Sequence, residues 1–298
     1  MNNLPGEVLL EDESLRDGLQ SEKRLFSVEE KLHLIQGMEA CGVRRIQVGS
    51  FVHPKWVPQM ANTDEVFARL QRSEGVTYTA LVLNQRGVKR AVSAKVPHLS
   101  MSISASETHN QKNTNRSMAQ AMDHIREMIE IARAENIRIR AGIIASLGCA
   151  FEGRIPKERV CEIAELYASL GVEEINLADS AGLANPRWVY EVVMAVREVV
   201  GERAGISLHL HDTRGLGLAN MIAGLQAGVT TFDASLGGLG GCPYIPGATG
   251  NIATEDAAYM LSEMGIESGI DWSRLGKLTL EMEALLDRRL PGRIAHMP

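Results

Sequence analysis

The chain has 298 residues, a formal net charge of −6 and an apolar fraction of 45%. This composition supports a large folded core and excludes a disordered chain. The lack of a long basic run argues against nucleic acid as a partner, and no uninterrupted apolar stretch approaches the roughly 18 residues of a membrane span. The four cysteines are scattered without a CxxC pair, and no secretory leader follows Met1. We therefore expect a reduced, cytoplasmic protein without disulfides or a membrane partner.

Short apolar strands and longer amphipathic helices alternate from the start of the chain. The pattern predicts a strand at 8–13 that ends in a polar turn at 14–18. Ser27 and Glu30 form a capping-box pattern at the start of a helix that ends at Gly42, where glycine suits a left-handed exit. Further strands are predicted at 45–49, 78–83, 99–103, 137–144, 174–177, 206–211 and 231–234, and further helices at 63–72, 87–94, 117–134, 156–170, 186–200, 218–227 and 254–264.

These repeats indicate the fold class. A glycine precedes several strands, as at Gly42, Gly171 and Gly228, and repeated short units of this kind predict a parallel α/β sheet. About eight units in a chain of this length predict a closed (β/α)8 TIM barrel, as one domain over residues 1–267. Residues 268–298 lie outside the repeat and should form a helical extension on the barrel or on a neighbouring subunit. A doubly wound open sheet is the alternative, but no GxGxxG pattern follows the first strand.

In a TIM barrel, functional side chains collect at the carboxyl ends of the strands. His209 and His211 point to the same face of one strand and can both reach one cation, and Asp17 follows the first strand. Imidazole and carboxylate ligands together suit Mg²⁺, Mn²⁺ or a similar divalent ion. The histidines could instead be an ordinary hydrogen-bonded pair, and Asp17 an ordinary turn residue. Other polar candidates at strand ends are Arg16, Gln47, Ser50, Ser104, Ser106, Glu107 and Asp179.

Two of these candidates and one cysteine have competing interpretations. Arg16 could be a salt-bridge partner, and Asp179 could cap the turn at 180–182. Free cysteines are usually small buried hydrophobes, and Cys41 and Cys161 fit that interpretation because they lie in helical patterns. Cys242 differs, because the glycine-rich run at 237–241 and the following proline predict a mobile loop that closes over the site.

Several segments together resemble the 3-hydroxy-3-methylglutaryl-CoA lyase family. This family belongs to a group of metal-dependent lyases and synthases that carry an Arg-Asp signature on the first barrel strand. The resemblance runs from about residue 11 to residue 264, and the PKWVPQM and GGCPY segments favour the lyase branch over the synthases. The matching segments are RDGLQ at 16–20, SFV at 50–52, PKWVPQM at 54–60, HLHDT at 209–213, GGCPY at 240–244, GN at 250–251 and ATED at 253–256.

The resemblance implies a reaction and a role for each site residue. The reaction is the cleavage of 3-hydroxy-3-methylglutaryl-CoA to acetyl-CoA and acetoacetate, as in leucine degradation and ketone-body formation, with an acyl-CoA as the bound partner. A homodimer is the default assembly. Arg16 would polarise the substrate carbonyl and Cys242 would transfer a proton, while Asp179 and Glu255 would support the active site. The implied metal ligands are Asp17, His209, His211 and Asn251.

Two positions depart from the family pattern. The family usually has glutamate where this chain has Gln47, and a small hydroxyl residue where it has His53. Glutamine keeps the shape of glutamate but cannot carry its negative charge, so Gln47 is a candidate site residue that affects specificity. Three alternatives therefore stay open: a lyase for another 3-hydroxy-3-substituted acyl-CoA, a Claisen-type synthase, and a metal-binding barrel without catalysis.

Overall fold

The computed structural model describes residues 4–241 and 249–297. Eight parallel strands pair in sequence order, and the eighth pairs with the first, so the sheet closes into a barrel. The predicted (β/α)8 fold is confirmed, and the open-sheet alternative is wrong. The strands are β1 (Leu9–Asp12), β2 (Arg45–Ser50), β3 (Thr77–Leu81), β4 (His98–Ser104), β5 (Arg138–Ile144), β6 (Glu174–Asp179), β7 (Gly205–Leu210) and β8 (Thr231–Ala234).

Helices cover the outside of the barrel, and those predicted from the sequence begin and end within a few residues of the observed bounds. The predicted capping box is present, because the Ser27 side chain accepts from the Glu30 amide and Glu30 accepts from the Ser27 amide. The helices are α1 (Val28–Ala40), α2 (Thr63–Arg69), α3 (Gln85–Ser93), α4 (Glu107–Thr114), α5 (Met118–Ala134), α6 (Lys157–Ser169), α7 (Pro186–Val200), α8 (Gly217–Gln226), α9 (Thr254–Glu263) and α10 (Trp272–Leu286).

Helix α4 was not predicted. Its sequence, ETHNQKNT, has no apolar periodicity, so the usual signal of a helix is missing. The buried side chain of Asn110 holds this helix to the barrel instead: its Oδ1 accepts from the Ser104 amide at 3.1 Å, and its Nδ2 donates to the Ser104 carbonyl at 2.8 Å. Ser106 caps the helix by accepting from the amide of His109. Ser104 and Ser106, which the sequence suggested as site candidates, thus support α4.

The apolar core lies between the strands and the helices, whereas the inside of the barrel is polar and charged. TIM-barrel interiors are usually filled with layers of branched apolar side chains. Here two successive layers are buried polar residues. The lower layer contains Glu11, Thr79, Arg140 and Ser207, and the upper layer contains Gln47, Ser100, Asn176 and Asp233.

Ion pairs compensate the charges that are buried in this interior. Arg140 pairs with Glu11 at 2.5 Å and also with Asp233, and Arg45 pairs with Glu11 at 2.5 Å and with Glu174 at 2.7 Å. Burial alone would raise the pKa of Glu11, but Arg140 and Arg45 outweigh it and lower the pKa to about 2. Removing one partner of such a buried pair leaves an uncompensated charge, so we expect these residues to be sensitive to substitution.

The segment beyond residue 267 forms α10, which packs against α1. A methyl group added at Gly37 of α1 would lie 2.8 Å from a Leu278 side-chain carbon, so the two helices touch where α1 lacks a side chain. In residues 4–241 and 249–297, no helix combines the length and apolar character that a membrane crossing requires.

Candidate active site

A cavity of about 420 Å³ opens at the carboxyl ends of the strands. Its floor is the upper part of the polar barrel interior, and its walls are the loops that follow the strands. Apolar groups, including Val52, Val57, Leu83 and Ile144, line part of the wall. The polar and charged residues around the cavity include Glu13, Arg16, Asp17, Ser50, Arg140, Asn176, His209, His211 and Asp233.

Arg16 and Asp17 enter this cavity from a single π-helical turn, Ser14–Gly18, which directly follows β1. Isolated π turns are rare and often occur at functional sites. The Asp12 carboxylate accepts from the Ser14 amide at 2.9 Å and fixes the start of the turn. Gly18 lets the turn pack closely, since a methyl group there would lie 2.8 Å from Leu239.

The four residues that the sequence resemblance implied as metal ligands lie together. The Nε2 atoms of His209 and His211 are 3.0 Å apart, and His211 Nε2 is 3.7 Å from Asp17 Oδ2. Asn251 donates to Asp17 Oδ2 at 2.9 Å, and its backbone pairs with that of His211. Burial alone would raise the pKa of Asp17, but Arg16 and the nearby histidines outweigh it and hold the pKa well below its usual range. Asp17 is therefore a carboxylate.

These residues fit a divalent metal ion. One ligand atom each from Asp17, His209 and His211 lies within 4.8 Å of the others. Within the described part of the chain, the buried Asn251 Oδ1 has no hydrogen-bond partner. Two nitrogen donors, a carboxylate and a free amide oxygen form a donor set that Mn²⁺ or Mg²⁺ accepts, with room for substrate oxygens.

Asp233 is a site residue that the sequence analysis missed. Its Oδ2 lies 3.1 Å from His209 Nδ1. A carboxylate only accepts hydrogen bonds, so this contact places the ring proton on Nδ1 and leaves the Nε2 lone pair free for a metal. The available signal was positional: Asp233 lies on an inward-facing position of β8, beside His209 of β7.

Arg16 is held by three side chains. Its Nη1 donates to Asp17 Oδ1 at 2.6 Å, its Nη2 donates to Glu13 Oε2 at 2.6 Å, and its Nε donates to Gln47 Oε1. Gln47 is fully buried beneath the guanidinium. Glu13 was also missed from the sequence, where it was assigned only as the end of a strand.

Asp179 and Glu255 are buried beside the site, and neither is among the described residues that line the cavity. Asp179 accepts from the amides of Leu183 and Ala184 at 2.8 and 3.0 Å, so it caps the loop after β6. Glu255 accepts from the Gly237 amide at 3.0 Å, and burial raises its pKa to about 8. Both side chains therefore hold loops, and direct catalytic roles for them stay predictions.

Cys242 lies outside the described residues, but the glycine-rich run before it can be placed. Residues 237–239 are buried, with Leu236–Gly238 forming a 3₁₀ turn, and a mobile loop that closes over the site stays a prediction. Gly240 has a φ of 125°, and a methyl group there would lie 2.9 Å from Asn251 Nδ2. This segment is thus folded tightly against a predicted metal ligand because glycine permits the approach.

The family model described as HMGL-like matches residues 7–280. The chain belongs to the HMGL-like family. The similarity covers the whole barrel and most of α10, and it confirms the family that the sequence motifs indicated.

Named relatives of this HMGL-like chain align over nearly its full length. It is 39% identical over 289 residues to hydroxymethylglutaryl-CoA lyase YngG of Bacillus subtilis, covering 97% of this chain and 96% of the relative. It is 40% identical over 273 residues to the 3-hydroxy-3-isohexenylglutaryl-CoA/hydroxy-methylglutaryl-CoA lyase of Pseudomonas aeruginosa, covering 92% and 91%. It superposes with a TM-score of 0.92 and 38% identity on an HMG-CoA lyase from Acinetobacter baumannii in complex with coenzyme A and 3-methylmalate, covering 99% and 96%.

The two positions at which this HMGL-like chain departs from the family pattern differ in location. Gln47 is buried beneath Arg16, and its Oε1 accepts a hydrogen bond from Arg16 Nε. His53 is exposed, and its Nδ1 accepts from the Lys55 amide at 3.2 Å, so it does not line the described cavity. The departure that bears on the chemistry is therefore Gln47.

Proposed function

We propose that this protein is a divalent-metal-dependent carbon–carbon lyase that cleaves 3-hydroxy-3-methylglutaryl-CoA to acetyl-CoA and acetoacetate. One observation supports it above all: Asp17, His209 and His211 converge beside Arg16 in a single cavity, and Asn251 is bonded to Asp17. The named relatives, which align over nearly the whole chain, are lyases for this substrate. The metal proposed is Mg²⁺ or Mn²⁺, since the donor set mixes imidazole with oxygen ligands.

The reaction breaks the bond between C2 and C3 of the acyl group. The C3 hydroxyl loses its proton, C3 becomes the ketone carbon of acetoacetate, and the bond electrons move onto C2 and the thioester oxygen. A proton then adds to C2 and gives acetyl-CoA. When bound by Asp17, His209, His211 and Asn251, the divalent ion would supply Lewis acidity that makes the hydroxyl easier to deprotonate.

The guanidinium of Arg16 would stabilise the enolate. Three of its five N–H groups are used by Glu13, Asp17 and Gln47, which leaves two free for a substrate oxygen. Those three partners fix the plane of the guanidinium before substrate binds. Little reorganisation therefore accompanies the development of negative charge on the substrate. Donors of this kind contribute about 3–4 kcal/mol to transition-state stabilisation in other enzymes.

The remaining predicted residues receive narrower roles. Cys242 is proposed to deliver the proton to C2, on the strength of the sequence resemblance alone. Asp179 and Glu255 are proposed as positioning residues, because their side-chain oxygens accept from backbone amides of the loops around the site. Residues 1–267 are proposed as the catalytic domain and residues 268–298 as its extension. A cytoplasmic location and a homodimer complete the proposal.

A related lyase activity on another 3-hydroxy-3-substituted acyl-CoA is the second candidate. It is favoured by the name of the Pseudomonas relative, which includes a 3-isohexenyl substrate, and by Gln47 in place of the usual glutamate. The reverse, Claisen-type condensation is a weaker alternative.

A substrate panel distinguishes these functions. Purified protein, freed of metal with a chelator, should be assayed for acetyl-CoA release from 3-hydroxy-3-methylglutaryl-CoA and from analogues with longer 3-substituents, with and without added Mn²⁺. Metal-dependent release from the methyl substrate supports the first candidate. Release only from the analogues supports the second, and no release from any of them contradicts both.

A further inference from the structure

Glu13 and Gln47 form a closed ring of hydrogen bonds with Arg16. Arg16 donates to Glu13 Oε2 at 2.6 Å and to Gln47 Oε1, and Gln47 Nε2 donates to Glu13 Oε1 at 2.9 Å. Glu13 is 1% exposed and Gln47 is completely buried. Glu13 directly follows β1, Gln47 lies on β2, and the two side chains meet at the guanidinium.

The ring fixes which chemical group each position can carry. Arg16 is only a donor, so the atom of residue 47 that faces it must be an acceptor. This forces the Gln47 NH₂ group toward Glu13, Ser100 and Glu11, whose Oε1 lies 3.4 Å away. A glutamate at position 47 could not donate to Glu13. It would instead place two buried carboxylates within hydrogen-bonding distance of each other, which is strongly unfavourable.

We propose that Glu13 is a positioning residue for Arg16 and that it works as a matched pair with Gln47. Within the ring, the negative charge is carried by Glu13, directly after β1, and the neutral partner is Gln47 of β2. This rests on the proposed function insofar as Arg16 serves the lyase reaction. It also explains why glutamine is compatible with an active site at position 47 of this chain.

Exchanging the two side chains should preserve the ring. In the double variant Glu13→Gln/Gln47→Glu, the carboxylate at 47 accepts from Arg16 Nε and from the new amide at 13, whose oxygen accepts from Arg16 Nη2. Within the ring every bond keeps its two partners, one bond reverses direction, and the charge is unchanged. Outside the ring, the carboxylate at 47 comes to face Glu11 Oε1, and Arg140 Nη1 loses its 3.5 Å contact with the Glu13 carboxylate. Each single variant breaks the match: Glu13→Gln removes the charge, and Gln47→Glu adds a second one.

The test is a double-mutant cycle on the full-length protein loaded with Mn²⁺. Each single variant should lower kcat by roughly 10- to 100-fold with KM changed less than about 3-fold, because a misplaced guanidinium loses contacts made in the transition state. The double variant should recover far above the product of the two single losses but stay below wild type, because its carboxylate at 47 lies beside Glu11. Glu173→Gln, at an exposed glutamate paired with Arg138, is the matched control and should leave both constants unchanged.

Stability provides an independent readout of the same cycle. The thermal-unfolding midpoint should fall in each single variant and recover in the double variant. A double variant whose kcat loss equals the product of the single losses would overturn the pairing, as would a rise in KM alone. If the wild type is inactive on every acyl-CoA, the proposed function fails, but the thermal-unfolding midpoints still test the pairing of Glu13 with Gln47. A midpoint that recovers in the double variant supports the matched pair, and additive losses overturn it.

Discussion

Replacing Asp233 with asparagine tests how the barrel floor prepares the site for a metal ion. Asp233 Oδ2 lies 3.1 Å from His209 Nδ1 and 3.3 Å from Asn176 Nδ2, and it pairs with Arg140. Asparagine keeps the shape and one acceptor oxygen but removes the charge. The neutral oxygen orients His209 less firmly and raises the basicity of its Nε2 less than a carboxylate does, so metal binding should weaken.

The expected loss follows from the role of such partners in metal sites. Removing a carboxylate behind a ligating histidine costs roughly 10- to 100-fold in metal affinity, which corresponds to about 1.4–2.7 kcal/mol. The fold should survive, because Arg140 keeps Glu11 at 2.5 Å and Glu174 at 3.4 Å as ion-pair partners. We expect a destabilisation of about 1–3 kcal/mol, less than for a buried charge left without any partner.

Mn²⁺ titration by calorimetry gives the affinity, and urea unfolding of the metal-free protein gives the stability. Asp271→Asn is the control, since Asp271 caps α10 on the surface and its replacement changes the net charge equally. An Mn²⁺ affinity in Asp233→Asn that equals the wild-type value would refute the inferred coupling between Asp233 and His209.

Four further substitutions have defined outcomes. His209→Ala and His211→Ala should each abolish tight Mn²⁺ binding and turnover but keep the circular-dichroism spectrum; retained affinity in either would remove it from the ligand set. Arg16→Met should lower kcat far more than it raises KM, and a change in KM alone would assign Arg16 to recognition. Burial raises the pKa of Glu255 to about 8 from a usual 4.5. Its contribution to the unfolding free energy is therefore fully present below about pH 4.5 and is lost as pH rises to 8. Glu255→Gln should flatten that fall in unfolding free energy, which pH-dependent urea curves measure; an unchanged slope contradicts it.

The barrel could be predicted from the sequence because each strand–helix unit carries its own signals. These signals are local and can be recognised without knowing which elements pack together. They include apolar periodicity, the capping box at Ser27 and the glycine exit at Gly42. Helix α4 could not be predicted this way, because it is fixed by the tertiary contacts of Asn110 and not by an apolar face. Local sequence patterns do not predict a helix that is held by a long-range polar contact and not by a buried apolar face.

The site shows the same limit. His209 and His211 share a strand face, so their proximity follows from strand geometry alone. Glu13 and Asp233 have no such local pattern, and their significance depends on how strands remote in sequence are paired across the barrel. The polar barrel interior could not be predicted for the same reason. Its buried charges are stabilised by ion pairs, and partners such as Glu11 and Arg140 are separated by more than a hundred residues in the sequence.

Product stoichiometry before and after metal removal tests the proposed reaction most directly. Wild-type protein should be incubated with 3-hydroxy-3-methylglutaryl-CoA, and acetyl-CoA and acetoacetate should be quantified separately. We expect equal amounts of the two products, loss of both on chelation, and recovery of both when Mn²⁺ or Mg²⁺ is restored. Unequal products, or full turnover in the thoroughly chelated protein, would contradict a metal-dependent cleavage of the C2–C3 bond.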